Sequence, residues 1–129
     1  MNCLVDSSTI IQIERGADGS RLQNHTLSIP TIVRAEILEG LHLLDKQEKT
    51  EHSLRLLRAF EHISLDTQTA EILSKLLASN IKSGTKKPLA DSIILATAIQ
   101  HNVDALITEN KKDFQSKLFR GRVLSLNEL

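Results

Sequence analysis

The stretch Pro88-Leu89-Ala90-Asp91-Ser92-Ile93-Ile94-Leu95-Ala96-Thr97-Ala98-Ile99 decides how the rest of the chain is interpreted. A helix can begin at Pro88, because the first helical turn does not need the N–H that proline lacks. After Asp91 the stretch is apolar on almost every side, which is typical of a helix buried in a core. Asp91 therefore lies at the start of a buried helix, close to a core that excludes water, where an unpaired charge is costly. The stretch alone leaves two interpretations open, a helix cap and a functional carboxylate.

Short apolar runs alternate with helical patterns on both sides of this helix. The runs predict strands at 3–5, 26–29, 62–65, 104–108 and 123–126, and the helical patterns predict helices at 7–16, 32–45, 46–61, 66–82 and 88–101. Residues 17–24 are polar and predict a loop, and 109–114 predict a tight turn. This alternation predicts an α/β fold, a three-layer α/β/α sandwich with a central parallel sheet. A chain of 129 residues is expected to form a single domain, 1–129.

Composition excludes several classes of protein. Sixteen basic and sixteen acidic residues give no net charge, and the only aromatic residues are three Phe. Any contact with nucleic acid must then use a local patch rather than a basic, aromatic surface. Cys3 is the only cysteine, which allows no disulfide within the chain and fits a reducing cytoplasm. We find no signal peptide and no apolar run of the roughly 18 residues that a membrane span needs, so we expect a cytoplasmic protein with no membrane contact.

Four acidic residues far apart in the chain are candidates for one site. Asp6 and Asp113 follow predicted strands, and Glu36 and Asp91 lie on the first turns of predicted helices. Sites in parallel sheets form beyond the carboxyl ends of the strands, so we hypothesise that the four acids meet there. Carboxylates about 6 Å apart repel by roughly 3 kcal/mol per pair, so a cation is needed to hold them together. Mg²⁺ or Mn²⁺ would suit these oxygen ligands, and the chemistry that fits is hydrolysis of a phosphodiester.

Four motifs in the chain resemble those of PIN domains, in particular the small VapC-type toxin ribonucleases of bacterial toxin–antitoxin pairs. They occur in that family's order and spacing over nearly the whole length, and they are Leu4-Val5-Asp6-Ser7-Ser8, Pro30-Thr31-Ile32-Val33-Arg34-Ala35-Glu36-Ile37-Leu38-Glu39-Gly40, Leu89-Ala90-Asp91-Ser92-Ile93-Ile94-Leu95-Ala96-Thr97-Ala98 and Leu106-Ile107-Thr108-Glu109-Asn110-Lys111-Lys112-Asp113-Phe114. The resemblance implies an endoribonuclease that depends on Mg²⁺ or Mn²⁺ and cuts RNA. It also implies a homodimer and a cognate antitoxin protein that blocks the site.

The resemblance places metal-binding and catalytic roles on Asp6, Glu36 and Asp91, with Ser8 supporting the first acid. For the fourth position the chain offers Asn110 and Asp113. We favour Asp113 as the acid, with Asn110 as a ligand or water-positioning group. Thr108 and Ser8 are supporting candidates, although either hydroxyl could simply satisfy nearby backbone groups.

Other features leave alternatives open. Lys86, Lys87, Lys111, Lys112 and Arg34 could guide phosphates, but charge runs are usually solvated surface. No two of the five histidines are spaced near the acids as metal ligands would be, so a zinc site is not expected. A non-catalytic PIN-like module that binds a protein partner is the main alternative function, and a phospho-acceptor receiver domain is another. An antitoxin peptide could cover the apolar edges of the helices at 46–61 and 66–82.

Overall fold

A five-stranded, fully parallel sheet forms the centre of the computed structural model, which describes residues 1–129. The strands lie in the order β3-β2-β1-β4-β5 and comprise β1 (Asn2–Val5), β2 (Thr26–Pro30), β3 (Glu61–Ile63), β4 (Ala105–Ile107) and β5 (Arg122–Leu124). Cys3, Leu4 and Val5 of the central strand are all 0% exposed. Since consecutive side chains point to opposite faces, both faces of the sheet are covered, which confirms the predicted sandwich.

Five α-helices connect these strands. They are α1 (Ser7–Glu14), α2 (Thr31–Leu44), α3 (Gln47–Leu57), α4 (Thr67–Ser83) and α5 (Leu89–Gln100). Side chains at the entrances fix where α1 and α4 begin: Asp6 accepts a hydrogen bond from the Ser7 N–H, and Asp66 accepts one from the Thr69 N–H within a capping box. No helix of the structure combines the length and the hydropathy that crossing a bilayer requires.

The helix α5 is as buried as its sequence predicts. Its residues Ile94–Ala98 are all buried, and α5 packs mainly against α4. Pro88 precedes the helix as its N-cap residue, so Asp91 lies inside the first turn. Asp91 is therefore not the cap of this helix, and the interpretation of it as a cap is wrong.

Some predicted boundaries differ from the structure. Residues 17–24 were predicted as loop, but Ser20–Asn24 form a 3₁₀ helix whose Leu22 is buried, with the Ser20 N–H bonded to Asp18. The helix predicted at 32–45 ends at Leu44 in the structure, where Asp45 follows in the left-handed conformation, and Leu44 is 54% exposed. The last strand ends at Leu124, since the Ser125 hydroxyl caps a 3₁₀ turn at Leu126–Glu128.

Candidate metal centre

Asp6 lies at the carboxyl end of the central strand, and its carboxylate is held on both oxygens. Its side chain is only 3% exposed. Oδ1 accepts the Ser7 N–H at 2.8 Å, and Oδ2 accepts the hydroxyls of Ser8 and Thr108, each at 2.8 Å. Three donors to one buried carboxylate satisfy both of its oxygens and fix its orientation.

The hydroxyls of Ser8 and Thr108 also join the end of β1 to the loop after β4. The two oxygens are 3.2 Å apart. Ser8 Oγ accepts the Glu109 N–H at 3.0 Å, and Thr108 Oγ1 accepts the Asn110 N–H at 3.1 Å. Each hydroxyl therefore does what both sequence interpretations suggested, since it orients Asp6 and satisfies a backbone donor.

Glu36 lies on the second turn of α2, not on the first as predicted, because the helix already begins at Thr31. Its carboxyl carries a buried oxygen without a partner. Its Oε1 accepts no hydrogen bond within the protein. Burial raises the pKa of this carboxyl, and the charges of Asp6 and Asp91 raise it further, while the nearby Ser7 hydroxyl acts in the opposite direction. A half-buried acid with an unsatisfied oxygen is a strong candidate to meet an external cation or donor.

Asp91 and Asp113 complete the group. Burial raises the pKa of Asp91 to about 6, with further contributions from the charges of Asp6 and Asp113 and a counteracting one from Lys87. Asp113 reaches this position on the 3₁₀ turn Lys111–Phe114, whose Phe114 is buried as an anchor. The charges of Asp6 and Asp91 therefore act on Glu36, and those of Asp6 and Asp113 act on Asp91.

The four acids do not form a finished ligand cluster. No three His, Cys, Asp or Glu side chains lie close enough together to hold a metal ion as they stand. Even so, an oxygen-only donor set with an orphaned Glu36 oxygen fits a hard divalent cation such as Mg²⁺ or Mn²⁺.

The other predicted residues lie around this group in different ways. Asn110 is exposed and contributes its backbone N–H to Thr108. Lys87 is half-buried beside Asp91, whereas Lys86 and Lys112 are exposed. Lys111 forms an exposed ion pair with Glu128 at 2.6 Å, and Arg34 contacts the His62 ring at 3.2 Å.

A family model for the PIN domain matches residues 3–118, which is most of the chain. The chain belongs to the PIN domain family. The resemblance noted from its four motifs is thereby confirmed, and the receiver-domain alternative is set aside. Comparison with curated proteins gives no match.

Solved structures similar to this PIN domain include three toxin–antitoxin complexes. VapBC-1 from nontypeable Haemophilus influenzae matches with a TM-score of 0.82 and 20% identity, covering 98% of this chain and 99% of that one. VapBC2 from Rickettsia felis, bound to a promoter DNA fragment, matches with a TM-score of 0.80 and 23% identity over 96% and 97%. A toxin–antitoxin complex from Klebsiella pneumoniae matches with a TM-score of 0.71 and 26% identity over 99% and 100%. The likeness to the first two establishes a shared fold.

Sequence reasoning missed one part of this PIN domain site. A cleft beside Asp91 and Asp113 is lined by polar residues of α4 and of the segment after the 3₁₀ turn, among them Ser79, Asn80 and Gln115. No motif marks these residues, because α4 and residues 115–118 are brought together only by the packing of α4 on α5. Among the residues that line this cleft, Lys87 and Asp113 were already candidates from the sequence, and they are the only signal that could have indicated it.

Proposed function

We propose that this PIN domain is a metal-dependent endoribonuclease that hydrolyses RNA phosphodiester bonds, with Asp6, Glu36, Asp91 and Asp113 as its metal-binding and catalytic residues. The observation that carries the proposal is the grouping of these acids at one end of the sheet, where burial, and then the charges of Asp6 and Asp113, raise the pKa of Asp91 to about 6. A fold gathers such charges at a cost in stability, so a function that uses them is the natural reason for the arrangement.

The residues themselves divide the task. Mg²⁺ or Mn²⁺, when bound, would supply an acidified water and neutralise charge on the phosphate. Asp6 offers a carboxylate that the Ser7 N–H and the hydroxyls of Ser8 and Thr108 hold in place. Glu36 offers its unpartnered Oε1. Ser8 and Thr108 are positioning residues, and Asp113 and Asn110 flank the site from the loop after β4.

We further propose that the chain is the toxin of a toxin–antitoxin pair, acts in the cytoplasm as a single domain of residues 1–129, and binds a cognate antitoxin protein. The similar structures named above are toxin–antitoxin complexes. A groove of about 440 Å³ between α1, α2 and α3 includes Ile11, Leu41, Leu44 and the catalytic candidate Glu36. A partner peptide in this groove would therefore cover one of the acids. Of the two helices expected to carry the partner surface, at 46–61 and 66–82, only the first lines this groove, as α3. The second, α4, does not line it.

A homodimer is part of the same proposal. A second, smaller apolar groove lies beside the edge strand β3 and includes Ile32, Ile63, Leu65 and Ile93. Leu65 is 46% exposed there. Because this groove is apolar and borders an edge strand, we propose that a second copy of the chain covers it. Sedimentation of the purified chain would measure the oligomeric state.

Cleavage of RNA by the purified protein tests the enzymatic proposal. We expect cleavage that requires Mg²⁺ or Mn²⁺ and that Asp91→Asn reduces by orders of magnitude, while Glu51→Gln, an exposed charge on α3, leaves it unchanged. If Asp91→Asn folds and cuts as fast as the wild type, the site assignment is wrong.

The alternative of a non-catalytic module makes a different prediction in cells. A module that only binds a protein would keep its effect on growth after Asp6→Ala, whereas a ribonuclease would lose it. Co-expression with the product of a neighbouring small gene, followed by co-purification, tests the antitoxin.

A further inference from the structure

A polar cleft of about 330 Å³ opens beside two of the four acids. Its floor is the first half of α5, including Asp91, Ser92 and Leu95. One wall is α4, through Leu76, Ser79 and Asn80, and the other is the segment 115–118 with Asp113 before it. An RNA strand with a phosphate at Asp91 would therefore have this cleft beside it.

The walls carry amide groups that the protein hardly uses. Asn80 is half-buried, and its Nδ2 donates a single long hydrogen bond, 3.4 Å, to Ser92 Oγ. Gln115 is exposed on the facing wall. Each amide offers both donors and an acceptor, the combination that matches the edge of a nucleobase. Two such groups line the same cleft next to the acids, which is the chemistry needed to distinguish one base from another.

Size and charge favour a single unpaired nucleotide. The cleft volume lies at the lower end of the range for small-ligand sites. A cleft of this volume is too small for a duplex. No aromatic side chain lines the cleft, so a base there would lie against Leu76, Leu95 and Leu118 and be recognised by hydrogen bonds rather than by aromatic stacking. Lys117 supplies a positive charge on the same wall as Gln115 and can pair with a phosphate.

We propose that this cleft holds one unpaired RNA nucleotide adjacent to the scissile phosphate, with Asn80 and Gln115 contacting the edge of its base and Lys117 its phosphate. The proposal rests on the ribonuclease function above and assigns its sequence preference to residues outside the four acids. Recognition at this position is then a property of α4 and the segment 115–118, and it is separable from catalysis.

Sequencing the products of a randomised single-stranded RNA library tests the base contacts. The wild type with Mn²⁺ is expected to show a base preference at one position next to the cut. Asn80→Ala and Gln115→Ala should each reduce the ratio of kcat/KM between the best and worst base at that position by about tenfold and leave the other positions unchanged. The control Gln47→Ala, at the exposed start of α3, should keep the full preference. Unchanged preference in both cleft variants overturns the proposal, whereas a wild type that cuts no RNA with any divalent metal refutes the ribonuclease function itself.

Binding provides a readout that does not depend on cleavage. Four 2′-O-methyl hexanucleotides that differ only in the base at that position are titrated against wild-type protein in EDTA by fluorescence anisotropy. Lys117→Ala should weaken binding of all four by a similar factor, and Lys82→Ala, which removes the same charge from the outer face of α4, should not. Gln115→Ala should reduce the differences in affinity among the four hexanucleotides. Equal affinities for all four in the wild type, or equal losses in the Lys117 and Lys82 variants, contradict the assignment of the cleft.

Discussion

Replacing Asp91 by Asn should stabilise the metal-free protein. The pKa of Asp91 is raised from 3.8 to about 6, mainly by burial and then by the charges of Asp6 and Asp113. Below about pH 3 this carboxyl is protonated in the folded and unfolded states alike, so it does not affect stability. As the pH rises through about 4 to 6, the unfolded chain loses the proton first and the folded state becomes less stable, with only a small part of the cost present at about pH 4. Above about pH 7 the full cost is present, and Asn removes it.

The size of the effect follows from the shift. About two pKa units correspond to about 3 kcal/mol, and because Asp91 is only partly buried, solvent screening reduces this to about 1 kcal/mol. For 129 residues, with an unfolding entropy of about 2.1 cal/mol/K per residue, this raises Tm by about 4 °C at pH 7.

Thermal unfolding in EDTA at pH 4 and at pH 7 measures the difference. Asp91→Asn should exceed the wild type at pH 7 and nearly match it at pH 4, while the control Glu51→Gln should change Tm little at either pH. Adding Mn²⁺ should raise the Tm of the wild type and reverse the order of the two proteins, because a bound ion stabilises only the folded state that can hold it. A lower Tm for Asp91→Asn in EDTA at pH 7, or an equal gain at both pH values, would refute the reasoning.

Three further perturbations test the packing and the charges around the site. Thr108→Val, which keeps the shape of the side chain but removes the donor to buried Asp6, should lower the free energy of unfolding by about 1–3 kcal/mol in urea titrations; no loss would mean that the hydrogen bond is dispensable. Ile94→Ala, at a fully buried position of α5, should lower the free energy of unfolding by about 2–5 kcal/mol in the same titrations. Saturating Mn²⁺ should raise the free energy of unfolding of the variant and of the wild type by the same amount. The ion pair with Lys111 and the hydrogen bonds from Ser125 lower the pKa of Glu128 to about 2, so its stabilisation is present above about pH 4.5 and is lost as the pH falls toward 2. Glu128→Gln should therefore lower Tm at pH 7 and not at pH 2, and an equal loss at both would show that charge is not the cause.

Much of the fold could be read from local patterns, because those patterns act over a few residues. The alternation of apolar runs and amphipathic stretches predicted all five strands and all five helices, and the all-round apolar character of α5 predicted its burial. The boundaries that failed depend on single contacts. The Asp18 carboxylate accepts a hydrogen bond from the Ser20 N–H at the start of a 3₁₀ helix in the stretch predicted as loop. Asp45 adopts the left-handed conformation, and α2 ends before it at Leu44.

By itself the sequence determined which acids are candidates for the site, since Asp6, Glu36 and Asp91 lie in motifs that resemble those of PIN domains. Tertiary structure decided how they behave. The parallel pairing of β1 with β4 brings Thr108 onto Asp6, and burial together with mutual repulsion raises the pKa of Glu36 and of Asp91. The cleft formed by Asn80, Gln115 and Lys117 has no signature along the chain, because its walls come from α4 and from residues 115–118 and meet only when both pack beside α5.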